Sequence, residues 1–266
     1  MRRIGWLVAT AALALAAPAW GESALLLPLP DAFGAIDAGT FDGEGHRVGA
    51  ATMEVRRRAD GRVEVRAESG IEGSAHSAVA ALMELAPGGG ALRLLSQRSE
   101  SFDTSGASLG VLTIDHEARV ARCGVPAGSD DEPVALELPP HDRIVNVPLN
   151  LLFQRLVRGE ASEVAFQVLL CRFGARILDA RARIATPRAE GGLVEVQYRL
   201  DFGPLLSSVA QPFLPTLSFW FDPDSPGAWV AHRMPLFSKG PTVLVVRSGF
   251  SPERLAPHVG AAPAGW

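Results

Sequence analysis

Positive charge is scarce in this sequence. Its 266 residues carry 25 basic and 29 acidic side chains, a formal net charge of −4, and Lys239 is the only lysine. A chain with this balance has no long-range attraction for nucleic acid or for anionic membrane surfaces. We therefore expect no nucleic-acid partner.

Motifs with a known chemistry are also scarce. We expect no hydrolase nucleophile elbow, no phosphate-binding loop and no dinucleotide fingerprint. The histidines are scattered, without the spacing of a zinc site; they are His46, His76, His116, His141, His232 and His258. We expect no metal, no cofactor and no catalytic residues, so the protein is interpreted as a non-enzyme.

The N-terminus has the pattern of an export signal. Arg2 and Arg3 precede an apolar run over residues 7–17, which is too short to span a bilayer. Small residues allow cleavage after Ala19 or Gly21, and we favour Gly21. No cysteine follows that would carry a lipid anchor. We predict a signal peptide over residues 1–21, a periplasmic location and no transmembrane segment after cleavage; the alternative is an uncleaved N-terminal anchor.

Cysteine is nearly absent, since Cys123 and Cys171 are the only two. In an exported chain an even number favours one disulfide, and both residues lie in or next to predicted strands. The alternative is two separate buried thiols, because free cysteine packs as a small hydrophobic residue.

Alternating apolar residues predict β-hairpins along the first half of the chain. The clearest is residues 48–68, where a three-residue loop ending at Gly61 in the left-handed conformation sets one register. The pairs in that register are Val55–Val65, Met53–Ala67, Arg56–Glu64 and Glu54–Arg66. It gives one apolar face and one charged face.

One helix is predicted among about ten to eleven strands. It covers residues 148–157, beginning at Pro148 and ending at Gly159. Its apolar stripe at helical spacing consists of Leu149, Leu152, Phe153 and Leu156. Strands resume after it, and residues 242–247 are apolar on both faces, which indicates a strand covered on both sides. We predict one β-rich domain over residues 22–250 and a flexible tail over residues 251–266.

The aromatic residues concentrate at 217–239. Together with Phe153 of the helix, they suggest a cleft for an amphipathic ligand. The candidate cleft residues are Phe153, Phe219, Phe221, Trp229, His232 and Lys239. The alternative is an ordinary hairpin core, because alternating aromatics are what a half-buried strand pair needs.

The order of these elements resembles the exported bacterial proteins of the DUF3108 type. The resemblance rests on Val48-Gly49 before the first hairpin, on Ile114-Asp115-His116-Glu117, on the short helix, and on the hairpins over 164–184 and 217–234. It implies a mainly β fold, in which a curved antiparallel sheet forms an open half-barrel around the helix, as in the periplasmic lipoprotein carriers. The concave face then has to be filled by the helix, by a loop or by a ligand.

Three functions stay open at this point. The leading hypothesis is an exported, non-enzymatic protein that binds a lipid or another apolar ligand, or assists envelope assembly with a protein partner. The second is a partner-binding module that docks through the apolar residues 202–215. The third is a hydrolase in which His116 or His232 acts as the base.

Overall fold

The computed structural model describes most of the chain. The described residues are 25–126, 129, 132–171, 175–185, 192–201, 217–225, 228–236, 240–250 and 255. The predicted signal peptide, the segment 202–215, and the predicted tail apart from residue 255 lie outside these residues. No helix among the described residues is long and apolar enough to cross a membrane.

The described chain folds into a single antiparallel sheet with one helix, which confirms the predicted class. The strands are β1 (Leu26–Pro28), β2 (Gly34–Phe41), β3 (Arg47–Arg57), β4 (Val63–Gly70), β5 (His76–Leu85), β6 (Ala91–Phe102), β7 (Ser108–Asp115), β8 (Val120–Gly124), β9 (Val134–Glu137), β10 (Glu163–Leu170), β11 (Arg176–Ile184), β12 (Val194–Asp201), β13 (Leu217–Asp222), β14 (Ala228–Pro235) and β15 (Thr242–Arg247). The helix α1 is Leu149–Val157.

The strand count is higher than predicted, at 15 among the described residues. The strands run β10-β11-β12-β13-β14-β15-β2-β3-β4-β5-β6-β7-β8-β9, and β1 pairs with β6 outside this path. Strands as short as β1 and β9 are difficult to recognise from periodicity, because three or four residues do not establish an alternation.

The β3–β4 hairpin has the predicted register. Val55 lies opposite Val65 and Arg56 opposite Glu64, and Gly61 has φ +82°. On the outer face, Arg56 and Arg66 both bind the carboxylate of Glu64, at 2.6 and 2.9 Å. Burial alone would raise the pKa of Glu64, but the hydrogen bonds from the two guanidinium groups hold it below its usual value.

The two ends of the sheet overlap rather than pair with each other. Val168 of β10 faces the main core, so Leu169 points to the opposite, convex side. Leu169 nevertheless packs in one buried cluster with Ile114 of β7 and Ala121 of β8. The β7–β9 end of the sheet therefore covers the outside of the β10–β11 end, and the sheet is rolled up without closing.

A disulfide joins the two overlapping layers. Cys123 in β8 and Cys171, directly after β10, are bonded, with their α-carbons 5.5 Å apart. This separation lies within the usual range for a disulfide. The bond therefore connects two strands that are distant in the sheet order and adjacent only because the sheet rolls up.

The helix α1 is enclosed by the rolled sheet. The predicted stripe is buried, and so are Leu151 and Gln154 on its other sides. It contacts β1, β10, β11 and β12. Its end is fixed by Gly159 at φ +71°, where the N–H groups of Gly159 and Glu160 donate to the carbonyls of Leu156 and Arg155.

Strand β15 is covered on both faces, as its apolar sequence predicts. Val243 and Val245 face the main core, whereas Leu244 and Val246 join a second buried cluster on the outer face with Trp220. In the strand order, β14 and β15 lie in the middle of the sheet, and both border the cavity described below.

Candidate functional site

An apolar cavity of about 140 Å³ remains beside the helix. It lies between the inner faces of β2–β5 on one side and those of β13–β15 on the other, and the first residues of α1 border it. The side chains from β2–β5 that line it are mostly small, including Ala38, Ala51, Ala67, Ser69 and Ser77. Because these side chains do not reach across to the opposite strands, space remains between the two walls.

The facing wall is aromatic. Phe219 of β13 and Trp229 and His232 of β14 line the cavity. The His232 ring stacks on Phe219, with centroids 5.3 Å apart and planes at 27°, and lies 5.4 Å from the Trp229 ring. The three rings therefore form one continuous surface.

A β-bulge brings Trp229 and His232 to the same face. Residues three apart on a regular strand point to opposite sides of the sheet. Here Phe219 pairs with His232 but Phe221 pairs with Trp229, so that Val230 is an extra residue on β14. Bulges of this kind redirect side chains. This one turns both Trp229 and His232 toward the cavity.

Burial keeps His232 uncharged at neutral pH. Desolvation by the surrounding protein atoms lowers the pKa of its imidazole to about 4. The ring has no hydrogen bond to any other described residue, although a part of it is still accessible. A neutral imidazole offers one donor and one acceptor nitrogen, so His232 presents to the cavity two polar atoms that no described residue pairs with.

The lowered pKa of His232 predicts a pH-dependent stability. The unfolded chain takes up a proton near pH 6.5 and the folded chain only near pH 4, so stability is full above pH 6.5 and falls between pH 6.5 and about 4. We expect a loss on the order of 2–3 kcal/mol across this window. Urea unfolding from pH 7.5 to 4 measures it.

The variant His232→Phe should remove this part of the pH dependence. The matched control is His141→Asn, because His141 is exposed and has φ +58°, a conformation that asparagine tolerates. Equal slopes of stability against pH in wild type and His232→Phe would contradict the assignment.

The structure separates the predicted cleft residues into two groups. Phe219, Trp229 and His232 line the cavity, whereas Phe153 and Phe221 are buried in the main core and do not border it. Lys239 lies outside the described residues. The small residues of β2–β5 were not predicted as site residues. In the sequence these residues appear as Ala and Ser at inward positions of successive strands. They indicate a cavity only when the strands that face them are known.

His116 belongs to a largely buried polar network. Its Nδ1 lies 2.9 Å from the carboxylate of Asp142, and its side chain is 12% exposed. Gln97 donates one amide hydrogen to the Ile144 carbonyl and accepts the N–H of Asn146, which fixes its orientation. The second amide hydrogen of Gln97 therefore points at His116 Nε2, 2.7 Å away.

This network occupies both nitrogens of His116. Nδ1–H donates to Asp142 and Nε2 accepts from Gln97, so no nitrogen is left to take a proton from a nucleophile. The same contacts hold the segment 142–147, whose Val145 N–H donates to the Gln167 carbonyl of β10. The network therefore holds the segment 142–147 between β6 and β10, where the two ends of the sheet overlap.

The spacing of a hydrolase elbow does occur, contrary to the expectation from the sequence. It is the stretch Gly106-Ala107-Ser108-Leu109-Gly110. In the structure it connects β6 to β7 as a hairpin, whereas an elbow needs a strand followed by a helix. Ser108 and His116 lie at opposite ends of β7, about 26 Å apart along the strand.

One exposed group in the described chain has metal-ligand chemistry. Ligand atoms of Asp42, Glu44 and His46 lie within 4.8 Å of one another in the β2–β3 turn. Asp42 accepts the N–H groups of Glu44 and His46, and the hydrogen bond from His46 is the main cause of its lowered pKa. The close approach of the three side chains is therefore explained by hydrogen bonds that stabilise the turn.

Comparisons with known proteins leave the function open. No family model and no curated protein matches the sequence, so the resemblance to the DUF3108 type stays a prediction. Among solved structures, the chain is similar to the crystal structure of a beta-barrel-like protein of domain of unknown function DUF1849 from Brucella abortus. The identity is 9% and the TM-score 0.43, over 85% of this chain and 97% of that chain. The cavity must therefore be interpreted from its own geometry.

Proposed function

We propose that the protein is an exported, non-enzymatic binding protein that holds an apolar or amphipathic ligand in the cavity between β2–β5 and β13–β15. The observation that carries this proposal is the cavity itself, a space with small side chains on one wall and Phe219, Trp229 and His232 on the other. A periplasmic location is part of the proposal, and the disulfide is compatible with it because disulfides persist in oxidising compartments.

The size of the cavity limits what it can hold. About 140 Å³ is close to the volume that takes one benzene-sized molecule in a protein core, and it is below the 300–1,000 Å³ usual for ligand sites. A whole lipid exceeds this space, but a single ring or a short alkyl end fits it. If the ligand is a lipid, the cavity therefore encloses only one end of it.

The other two functions have less support. The occupied nitrogens of His116 and the separation of Ser108 from it weigh against the hydrolase. His232 is flanked by Phe219 and Trp229, and it has no hydrogen bond to any serine, aspartate or other described residue. The partner-binding hypothesis depends on the segment 202–215, which lies outside the described residues.

Binding of small apolar probes tests the proposal. At a concentration of ten times Kd, toluene or 1-hexanol should stabilise the folded protein by about 1.4 kcal/mol, because they bind the native state alone. For a chain of this size that corresponds to a rise in Tm of roughly 3–5 °C. Native mass spectrometry of detergent-free protein would detect any ligand retained from the host.

A cavity-filling variant supplies the control. Ala67→Leu extends a side chain into the cavity and should abolish the effect of both probes. Ala80→Leu makes the same change on the outer face of the adjacent strand β5 and should leave probe binding intact. No adduct in the mass spectrum, together with no stabilisation of the wild type by either probe, would overturn the proposal.

A further inference from the structure

We propose that the ligand is a neutral, ring-sized molecule carrying a hydroxyl or carbonyl group, which His232 and Ser77 recognise from opposite walls of the cavity. This inference rests on the proposed function and specifies the chemistry of the ligand. Its simplest representative is phenol.

Two polar side chains in the cavity wall, His232 and Ser77, have no hydrogen bond to another described residue. Ser77 of β5 is only 6% exposed and lies opposite Ser69 on β4, on the same inward face as Val79 and Ala67. Its hydroxyl has no hydrogen bond to any described residue, and the same is true of the His232 imidazole. Both residues line the cavity, where a ligand can reach them, and in the same wall the Nε1 of Trp229 is buried with no hydrogen-bond partner among the described residues. Buried polar groups without partners are uncommon in folded proteins, so this cavity favours a ligand that carries a polar group of its own.

Charge in the wall argues for a neutral ligand. Among the described lining residues Glu68 is the only acidic one and none is Lys or Arg; Glu68 is exposed and alternates with inward-facing Ala67 and Ser69. It therefore belongs to the outer face of β4. A carboxylate or an ammonium group placed in the cavity would be buried without an opposite charge, which is strongly unfavourable.

The shape of the aromatic wall argues for a ring. Phe219, His232 and Trp229 present adjoining ring surfaces, and ring-on-ring contacts add to the gain from burial. The volume of about 140 Å³ matches one six-membered ring with a small substituent. A ring bearing one hydroxyl satisfies the apolar walls and supplies a donor and an acceptor to His232 and Ser77.

The test compares four probes of equal ring size by calorimetry at pH 7.5: phenol, benzene, benzoate and benzylamine. We expect wild type to bind phenol about 5–10-fold more tightly than benzene, as one net hydrogen bond allows. Benzoate and benzylamine should show no binding. Phenol and benzene of equal affinity, or benzoate binding as well as phenol, would overturn the inference.

Variants assign the preference to the two side chains. His232→Phe keeps a ring in the wall and should reduce the phenol-to-benzene ratio to near one, and Ser77→Ala should reduce it by a smaller factor. His76→Phe is the matched control, because His76 is exposed and stacks on Phe102 outside the cavity. An unchanged ratio in both His232→Phe and Ser77→Ala would overturn the assignment.

The two proposals fail differently. If toluene or 1-hexanol binds wild type and phenol shows no advantage over benzene, the cavity is a ligand site without the recognition proposed for His232 and Ser77. If none of the probes binds, the proposed function itself fails.

Discussion

Replacing Phe153 with alanine should lower the free energy of unfolding by about 3–5 kcal/mol. The ring is fully buried at the centre of the rolled sheet. It contacts the rings of Phe166, Tyr198 and Phe219, with centroids 5.8, 5.7 and 5.1 Å away. The substitution loses the transfer free energy of the ring and leaves a void, and a helix of nine residues has little stability of its own to offset the loss.

Urea unfolding of Phe153→Ala at pH 7.5 measures this effect. Arg155→Ala on the same helix is the control, since Arg155 is partly exposed and should change stability by less than about 1 kcal/mol. Because Phe153 packs against Phe219 of the cavity wall, the void should leave toluene binding intact or strengthen it. A destabilisation below about 1 kcal/mol would mean that the helix does not occupy the centre of the core.

Removing the disulfide should cost about 4 kcal/mol. The bond closes a loop between residues 48 positions apart, and the entropy of closing such a loop in the unfolded chain gives this value. The double variant Cys123→Ala and Cys171→Ala avoids leaving a buried hydroxyl. Its denaturant m-value should also rise, because the unfolded chain without the bond is more extended.

Reduction provides the control for the disulfide prediction. Dithiothreitol should destabilise wild type by about the same amount and should leave the double variant unchanged. Thiol titration of unfolded, unreduced wild type should find no free thiol. Two free thiols in that titration, or a double variant as stable as wild type, would contradict the role assigned to the bond.

Local patterns in the sequence predict the elements whose partners lie nearby in the chain. The β3–β4 hairpin is one case, because one register puts Val55 against Val65 and pairs Arg56 with Glu64 at the same time. The helix is another, since Leu149, Leu152, Phe153 and Leu156 can share a buried face only at helical spacing. The apolar residues on both faces of β15 likewise indicate its covered position.

The candidate site depends on features that alternation does not encode. Val230 shifts the pairing of β14, so Trp229 and His232 lie on one face, whereas regular alternation places residues three apart on opposite faces. His116 follows a strand as a hairpin residue would, yet its side chain is only 12% exposed, because Asp142, 26 positions later, and Gln97 on β6 contact it. Both outcomes result from contacts between segments distant in the chain.

The sequence by itself determined a mainly β chain, one short helix and a hairpin register, because each follows from the side chains of nearby residues and their period. The even number of cysteines allowed a disulfide but did not establish that the two pair. The tertiary structure decided that the ends of the sheet overlap, that the helix is enclosed, and that small side chains of β2–β5 face an aromatic wall across a cavity. The physical reason is that alternation fixes the face of a strand on which a residue lies. The curvature of the sheet, which depends on the packing of all the strands together, fixes what that face meets.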